Sequence, residues 1–270
     1  MAGGFDSWES YFYPPPDEST LRNLLDERDA GALHVKEYGR AAVRQRELVS
    51  GEVAIARTYD AAHVRAIHRH LFQDVYEWAG EYRTVEMFKG VGRGFAEVRS
   101  GEVERYLSDV HRLVAGTAWR ELDREQFGER AATVFAYLNQ AHPFREGNGR
   151  TSKVFMEHVA ERSRFTLDFS RVTPEQWNQA SMLSRPDLLA YDPVPDSLVP
   201  VFRHIAVDRP AAPAPVVDDA SPVRSLYSAS YPRPATPGRS TGPQSGTERP
   251  RRTGPGVPGQ GYTTGRGEGR

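Results

Sequence analysis

The chain has 270 residues, 35 basic against 36 acidic side chains for a net charge of −1, and no cysteine. The near-neutral balance gives no global reason to expect direct nucleic-acid binding, and the missing cysteines exclude disulfides and thiolate metal sites and fit a reducing compartment. No run of about eighteen apolar residues occurs, and MAGGFDSWES lacks the basic-then-apolar pattern of a secretory signal, so a cytoplasmic chain without a membrane partner is expected.

Residues 1–20 are rich in rings and prolines (Phe5, Trp8, Tyr11, Phe12, Tyr13, Pro14 to Pro16), and are read as an arm packed on the domain. Leu21, Leu24 and Leu25 suggest one helical face, and a second run extends from Ala32 to Leu48. Asp60 is placed to cap a helix carrying Val64, Ile67 and Leu71. His68 and His70, two apart on that helix, face different ways and are read as packing or surface groups rather than metal ligands. Arg83 to Phe88 and Phe95 to Arg99 alternate around the glycine-rich Lys89-Gly90-Val91-Gly92-Arg93-Gly94, which predicts a β-hairpin over 82–99. Helices follow at about 102–116 and 124–141. Thr173-Pro174-Glu175-Gln176 is a capping sequence for another, and Leu198, Val201, Phe202 and Ile205 mark a last one near 196–205. From 207 to 270 Pro, Gly, Ser, Thr and Arg dominate, and a disordered tail is expected because little apolar surface offsets the ordering entropy.

The densest chemistry lies in His142-Pro143-Phe144-Arg145-Glu146-Gly147-Asn148-Gly149-Arg150-Thr151-Ser152-Lys153. Pro143 ends the preceding helix, Gly147 and Gly149 permit unusual backbone geometry, and Val154, Phe155, His158 and Val159 restart a helix from about Asn148. A glycine turn opening a helix aims free N–H groups and the dipole at one spot, an anion site suited to phosphate. Arg150 and Lys153 lie a turn apart and can reach one face. A histidine, a carboxylate, a phosphate cradle and two cations within twelve residues suggest phosphoryl or nucleotidyl transfer.

This stretch resembles the Fic signature, His-x-Phe-x-Asp/Glu-Gly-Asn-Gly-Arg-x-x-Arg, at every specified position but the last, where Lys153 stands. The resemblance implies a mainly α fold: a Fic-type helical bundle over 1–206, with its core at about 58–205 and the 82–99 hairpin as a flap over the active site. It implies AMP transfer from ATP to a Ser, Thr or Tyr hydroxyl of a target protein. His142 would be the general base and Glu146 the Mg2+ ligand. Gly147, Asn148 and Gly149 would cradle the α- and β-phosphates, Arg150 would hold the β-phosphate and Lys153 the γ-phosphate. Arg145, and Lys89 and Gly90 at the flap tip, would also touch the nucleotide, and the target would add a strand to the flap.

Lysine at 153 keeps the charge but loses the two-pronged arginine geometry, so retained transfer with weaker γ-phosphate orientation is expected. Many Fic proteins are blocked by a glutamate in a Ser/Thr-x-x-x-Glu-Gly/Asn helix; the one formal match, Thr264 to Gly269, contains three glycines and is a poor helix. A toxin-like bacterial protein restrained by a separate small antitoxin that supplies the glutamate is therefore expected, with type II topoisomerase subunits as candidate targets. The alternatives are a Fic fold with other donor chemistry, such as phosphate transfer, and a weakened binding module.

Overall fold

The computed structural model describes residues 4–88, 94–209 and 236–237, all within a unit that spans Met1–Gly238. Seven α-helices form among these residues: α1 (Ala30–Ser50), α2 (Ala61–Phe72), α3 (Glu102–Ala115), α4 (Arg124–Ala141), α5 (Asn148–Ala160), α6 (Pro174–Leu183) and α7 (Val199–Ile205). The strands are short: β1 (Met87–Phe88), β2 (Phe165–Leu167), β3 (Ala206–Asp208) and β4 (Thr236–Pro237). None of the described helices is long and apolar enough to cross a membrane.

Helix α4 is the axle. It packs against α3, α5 and α7, and Phe127, Ala131, Val134, Phe135 and Leu138 are all buried. Its small residues let neighbours approach closely. At Gly128 a Cβ would run into the Arg203 side chain of α7. Asp123 opens α4 with a capping box whose reciprocal partner is Gln126. The same device opens α6 at Thr173 and Gln176, as its sequence predicts. Asp60 caps α2 by accepting from the His63 amide.

The first leucine face is not a helix. Residues 21–28 wrap around Asn23, whose side chain donates to Leu21 O and Glu27 O at 2.8 Å each and accepts from the Leu25 and Glu27 amides. An asparagine that satisfies four backbone groups offers a better local solution than a helical turn. At the other end the fold runs slightly past 206: β3 pairs antiparallel with β2, Leu167 opposite Ala206 and Phe165 opposite Asp208. Apart from 207–209 and 236–237, the tail expectation lies outside the described residues, as does the match at Thr264 to Gly269.

The expected hairpin is only partly present. Its tip, 89–93, lies outside the described residues, so the readings on Lys89 and Gly90 do too. The strand predicted over Phe95–Arg99 does not form. Phe95 donates to Met87 O at 3.1 Å, but Ala96 donates to Gln140 O of α4 at 2.9 Å, and the Val98 amide is met by the Glu86 carboxylate at 3.0 Å. Helix α4 and an acid side chain take the bonds that a second strand would have made. The edge of β1 pairs instead with β4, Met87 opposite Pro237 and Phe88 opposite Thr236.

Candidate active site

The loop between α4 and α5 is held from three sides. His142 ends α4 in the left-handed region, at φ 39°, a conformation costly for a residue with a Cβ and found where surroundings impose it. Arg83 is one of those surroundings. It is fully buried; its Nε donates to His142 O at 2.8 Å, its amide to Pro143 O at 2.8 Å, its Nη1 to Val85 O at 2.7 Å, and its Nη2 to Ala96 O. One guanidinium thus ties the flap to the carbonyl of the histidine. Burial pulls its pKa down to about 10, still well above neutrality. The His142 ring stacks on Phe95 of the flap, with centroids 3.7 Å apart and planes 10° apart.

Beneath the loop, Phe144 is completely buried and stacks on His68 of α2 at 3.7 Å. His68 Nε2–H donates to Glu146 O at 3.0 Å, while Nδ1 accepts from the Gly80 amide at 2.8 Å. This arrangement requires the neutral ring, and burial pulls its pKa down to about 3. His68 is a packing group, as its sequence context suggests, but what it packs is the active loop. From within, the Asn148 side chain accepts from the Phe144 amide at 2.9 Å and donates to Phe144 O at 2.7 Å. Its amide group therefore braces the loop, and only its backbone is left for a phosphate.

Helix α5 starts differently from α1, α2, α4 and α6. Its N-cap is Gly147, at φ 81°, with no side chain to meet the first amides. Any Cβ there would run into the Phe72 ring, so glycine is required twice over. The first amides of the helix have no acceptor inside it, and the positive end of its dipole is added to them. Gly147 N–H is met by the Glu146 carboxylate at 3.0 Å. Burial pushes the Glu146 pKa up, and the nearby Glu37 carboxylate adds to the rise.

The three cations of the motif have different fates. Arg150 stays at the loop: its Nη2 donates to Glu37 of α1, and another contact reaches the Glu146 carboxylate at 3.9 Å. Arg145 points into the N-terminal arm instead. Its Cζ lies 3.9 Å from the Trp8 ring centroid, 5.1 Å from Phe12 and 5.7 Å from Tyr11, and none of its three nitrogens has a hydrogen-bond partner. Lys153 points to the other side of α5. Its Nζ sits 5.1 Å from the Phe169 centroid and 5.3 Å from Trp177, fully buried and without a hydrogen bond. Burial pulls its pKa down to about 7 and pushes that of Glu157, one turn on, up to about 8.

His142, Glu146, Gly147, Gly149 and Arg150 are thus brought together at one helix mouth, while the tips of Arg145 and Lys153 lie against aromatic rings. The sequence reading gave no site role to Arg83, Phe95 or Glu37, and read His68 as a packing group without the loop it supports. A lone arginine or glutamate in a strand-like or helical run carries no local signal of what it will reach across the fold.

The profile of the Fic/DOC family matches residues 58–160. The protein adenylyltransferase VbhT of Bartonella schoenbuchensis is 35% identical over 173 residues, covering 64% of this chain and 35% of VbhT. The Sinorhizobium fredii protein y4lH is 34% identical over 171 residues, covering 63% of this chain and 85% of y4lH. Among solved structures, the N-terminal Fic domain of a VirB-translocated Bep effector protein of Bartonella quintana, with bound ADP, superposes with a TM-score of 0.63 at 30% identity, covering 74% of this chain and 96% of that one. The chain spans about a third of VbhT but most of y4lH. With the bundle, the motif loop and these likenesses in agreement, the chain belongs to the Fic/DOC family.

Proposed function

We propose that this chain transfers AMP from ATP to a hydroxyl of a protein target. The observation that carries the reading is the junction of α4 and α5, where a buried histidine, a carboxylate, an uncapped helix N-terminus and Arg150 meet. The relatives' adenylyltransferase name and the ADP bound by the Bartonella quintana domain support it.

The phosphates would sit at the α5 N-terminus, against the backbone amides of 147–149, with Arg150 on the β-phosphate. His142 would take the proton of a Ser, Thr or Tyr hydroxyl as its oxygen attacks the α-phosphorus. The bond from that phosphorus to the β-phosphate oxygen breaks, and pyrophosphate leaves with the electron pair. Two ties hold the histidine for this task, its carbonyl to Arg83 and its ring to Phe95.

Glu146 would hold Mg2+. Its side chain is 28% exposed beside the helix mouth. Among the described residues no three metal-ligating side chains cluster, so the other ligands would be phosphate oxygens and water, the habit of Mg2+. When bound, the ion would offset charge on the phosphate oxygens. Lys153 can meet a γ-phosphate only by leaving the Phe169 and Trp177 rings, which suits a looser hold on that group.

The target would run along the β1 edge, a reading supported by the antiparallel pairing of β4 with that strand. Restraint by a separate small partner that supplies a glutamate, and type II topoisomerases as targets, remain part of the proposal.

ATP labelled at either the α- or the γ-phosphate, incubated with the protein, Mg2+ and a bacterial lysate, tests the donor chemistry. Protein-bound label from α-labelled ATP alone is expected. Label from γ-labelled ATP alone would show phosphate transfer and overturn the reading.

A further inference from the structure

We propose that Glu37, on α1 and outside residues 58–160 that the family profile matches, is a positioning residue for nucleotide binding: it holds Arg150 so that one guanidinium nitrogen faces the phosphates. The inference rests on the reading of Arg150 as a phosphate ligand.

Glu37 and Arg150 are both buried. Glu37 is 5% exposed. Its Oε1 accepts from Arg150 Nη2, and its Oε2 accepts from the Tyr76 hydroxyl at 2.8 Å. Tyr76 is itself fixed, stacked on Trp78 with centroids 4.2 Å apart. Both carboxylate oxygens therefore have rigid partners, and the carboxylate has a single orientation. The Arg150 guanidinium lies between rings, with Cζ 4.4 Å from the Tyr38 centroid and 4.6 Å from Phe72. Two helices thus set its plane, and Glu37 sets its rotation within that plane. Nη1 is left buried and without a partner. A buried cationic donor with no acceptor is unfavourable unless a ligand supplies one, and the guanidinium as a whole lies close to the α5 N-terminus, with Nη2 3.9 Å from the Glu146 carboxylate.

The division of labour follows from arginine's planar fork. One arm is spent on Glu37 and the other is held in reserve, so a phosphate meets a pre-oriented donor instead of a mobile chain. A carboxylate that served only to neutralise a buried arginine would not leave Nη1 unmet.

Glu37→Gln tests this, because the shape is kept and the charge lost. The affinities for ADP and AMP, KM for ATP, kcat and the thermal midpoint of the nucleotide-free protein are measured together. The expected result is ADP affinity about tenfold weaker and KM for ATP raised in step, with AMP affinity and kcat within about twofold of wild type. Combined with Arg150→Lys, Glu37→Gln should add no further loss. Equal weakening of ADP and AMP, or unchanged ADP affinity, would overturn the proposal, and tighter ADP binding would make Glu37 a competitor of phosphate. If Arg150→Lys and Arg150→Ala both left ADP binding intact, the reading of Arg150 itself would fail, whatever Glu37 does. Should Glu37→Gln not fold, Glu37→Asp applies the same criterion. The shortened carboxylate draws Arg150 away from the phosphates, so ADP affinity falls while AMP affinity holds, and parallel loss of both overturns the proposal.

Discussion

Lys153 shows how far a single residue can depart from what its place in a motif implies. The sequence puts a cation one turn beyond Arg150, and the structure puts its ammonium against Phe169 and Trp177. Its pKa of about 7, against an ordinary 10.5, has a thermodynamic consequence. Between about pH 7 and 10.5 the unfolded chain keeps the proton and the native chain lacks it, so this group makes stability rise with pH across that window. Glu157, raised from 4.5 to about 8, does the reverse between those values. Above pH 8 the lysine slope remains, joined near pH 10 by that of buried Arg83. Lys153→Met should therefore abolish the rise in urea midpoint between pH 8 and 9. It should also stabilise the protein by about 1–3 kcal/mol at pH 7, since a buried amine without a hydrogen bond gives way to an apolar chain while Glu157, its pKa about 8, is mostly protonated there. An unchanged alkaline slope would show that Lys153 is not the group titrating there. The motif residues were legible because they are contiguous. The direction of Lys153 was not, because the rings that receive it come from the 169–177 segment, and no local pattern announces that meeting.

At the scale of elements, the flap and the motif loop behave as one unit joined by Arg83. Four carbonyl oxygens, those of Val85, Ala96, His142 and Pro143, accept from its side chain and amide. Arg83→Met leaves three of them without their side-chain donor, at a cost of about 3 kcal/mol or more. AMP transfer should fall by more than tenfold while ATP affinity changes little, because the flap and the His142 ring lose their register and the α5 amides do not. Side-by-side calorimetric ATP titration and transfer assays check this, and parallel loss of both would mean that Arg83 supports the whole loop. Helices α1 to α7 were legible from apolar period and caps, with Asp60 and Thr173 placed where the sequence puts them. The second flap strand was not legible, since Gln140 and Glu86 satisfy its amides from elsewhere. The Asn23 turn was missed for a related reason, as leucine spacing says nothing about a side chain that outcompetes the helix.

Across the whole molecule, parts distant in sequence converge on twelve residues. Helix α1 supplies Glu37, α2 supplies His68 and Phe72, the flap supplies Arg83 and Phe95, and the N-terminal arm stacks on Arg145. In this account the α5 N-terminus binds the nucleotide and His142 does the chemistry, two tasks on one loop that a substitution can separate. Measuring ATP affinity and AMP transfer together on wild type and His142→Ala tests that separation directly. The account predicts ATP affinity within about twofold and transfer lower by a factor of roughly 10² to 10⁴. Transfer that survives in His142→Ala, or ATP binding lost along with it, would contradict the account.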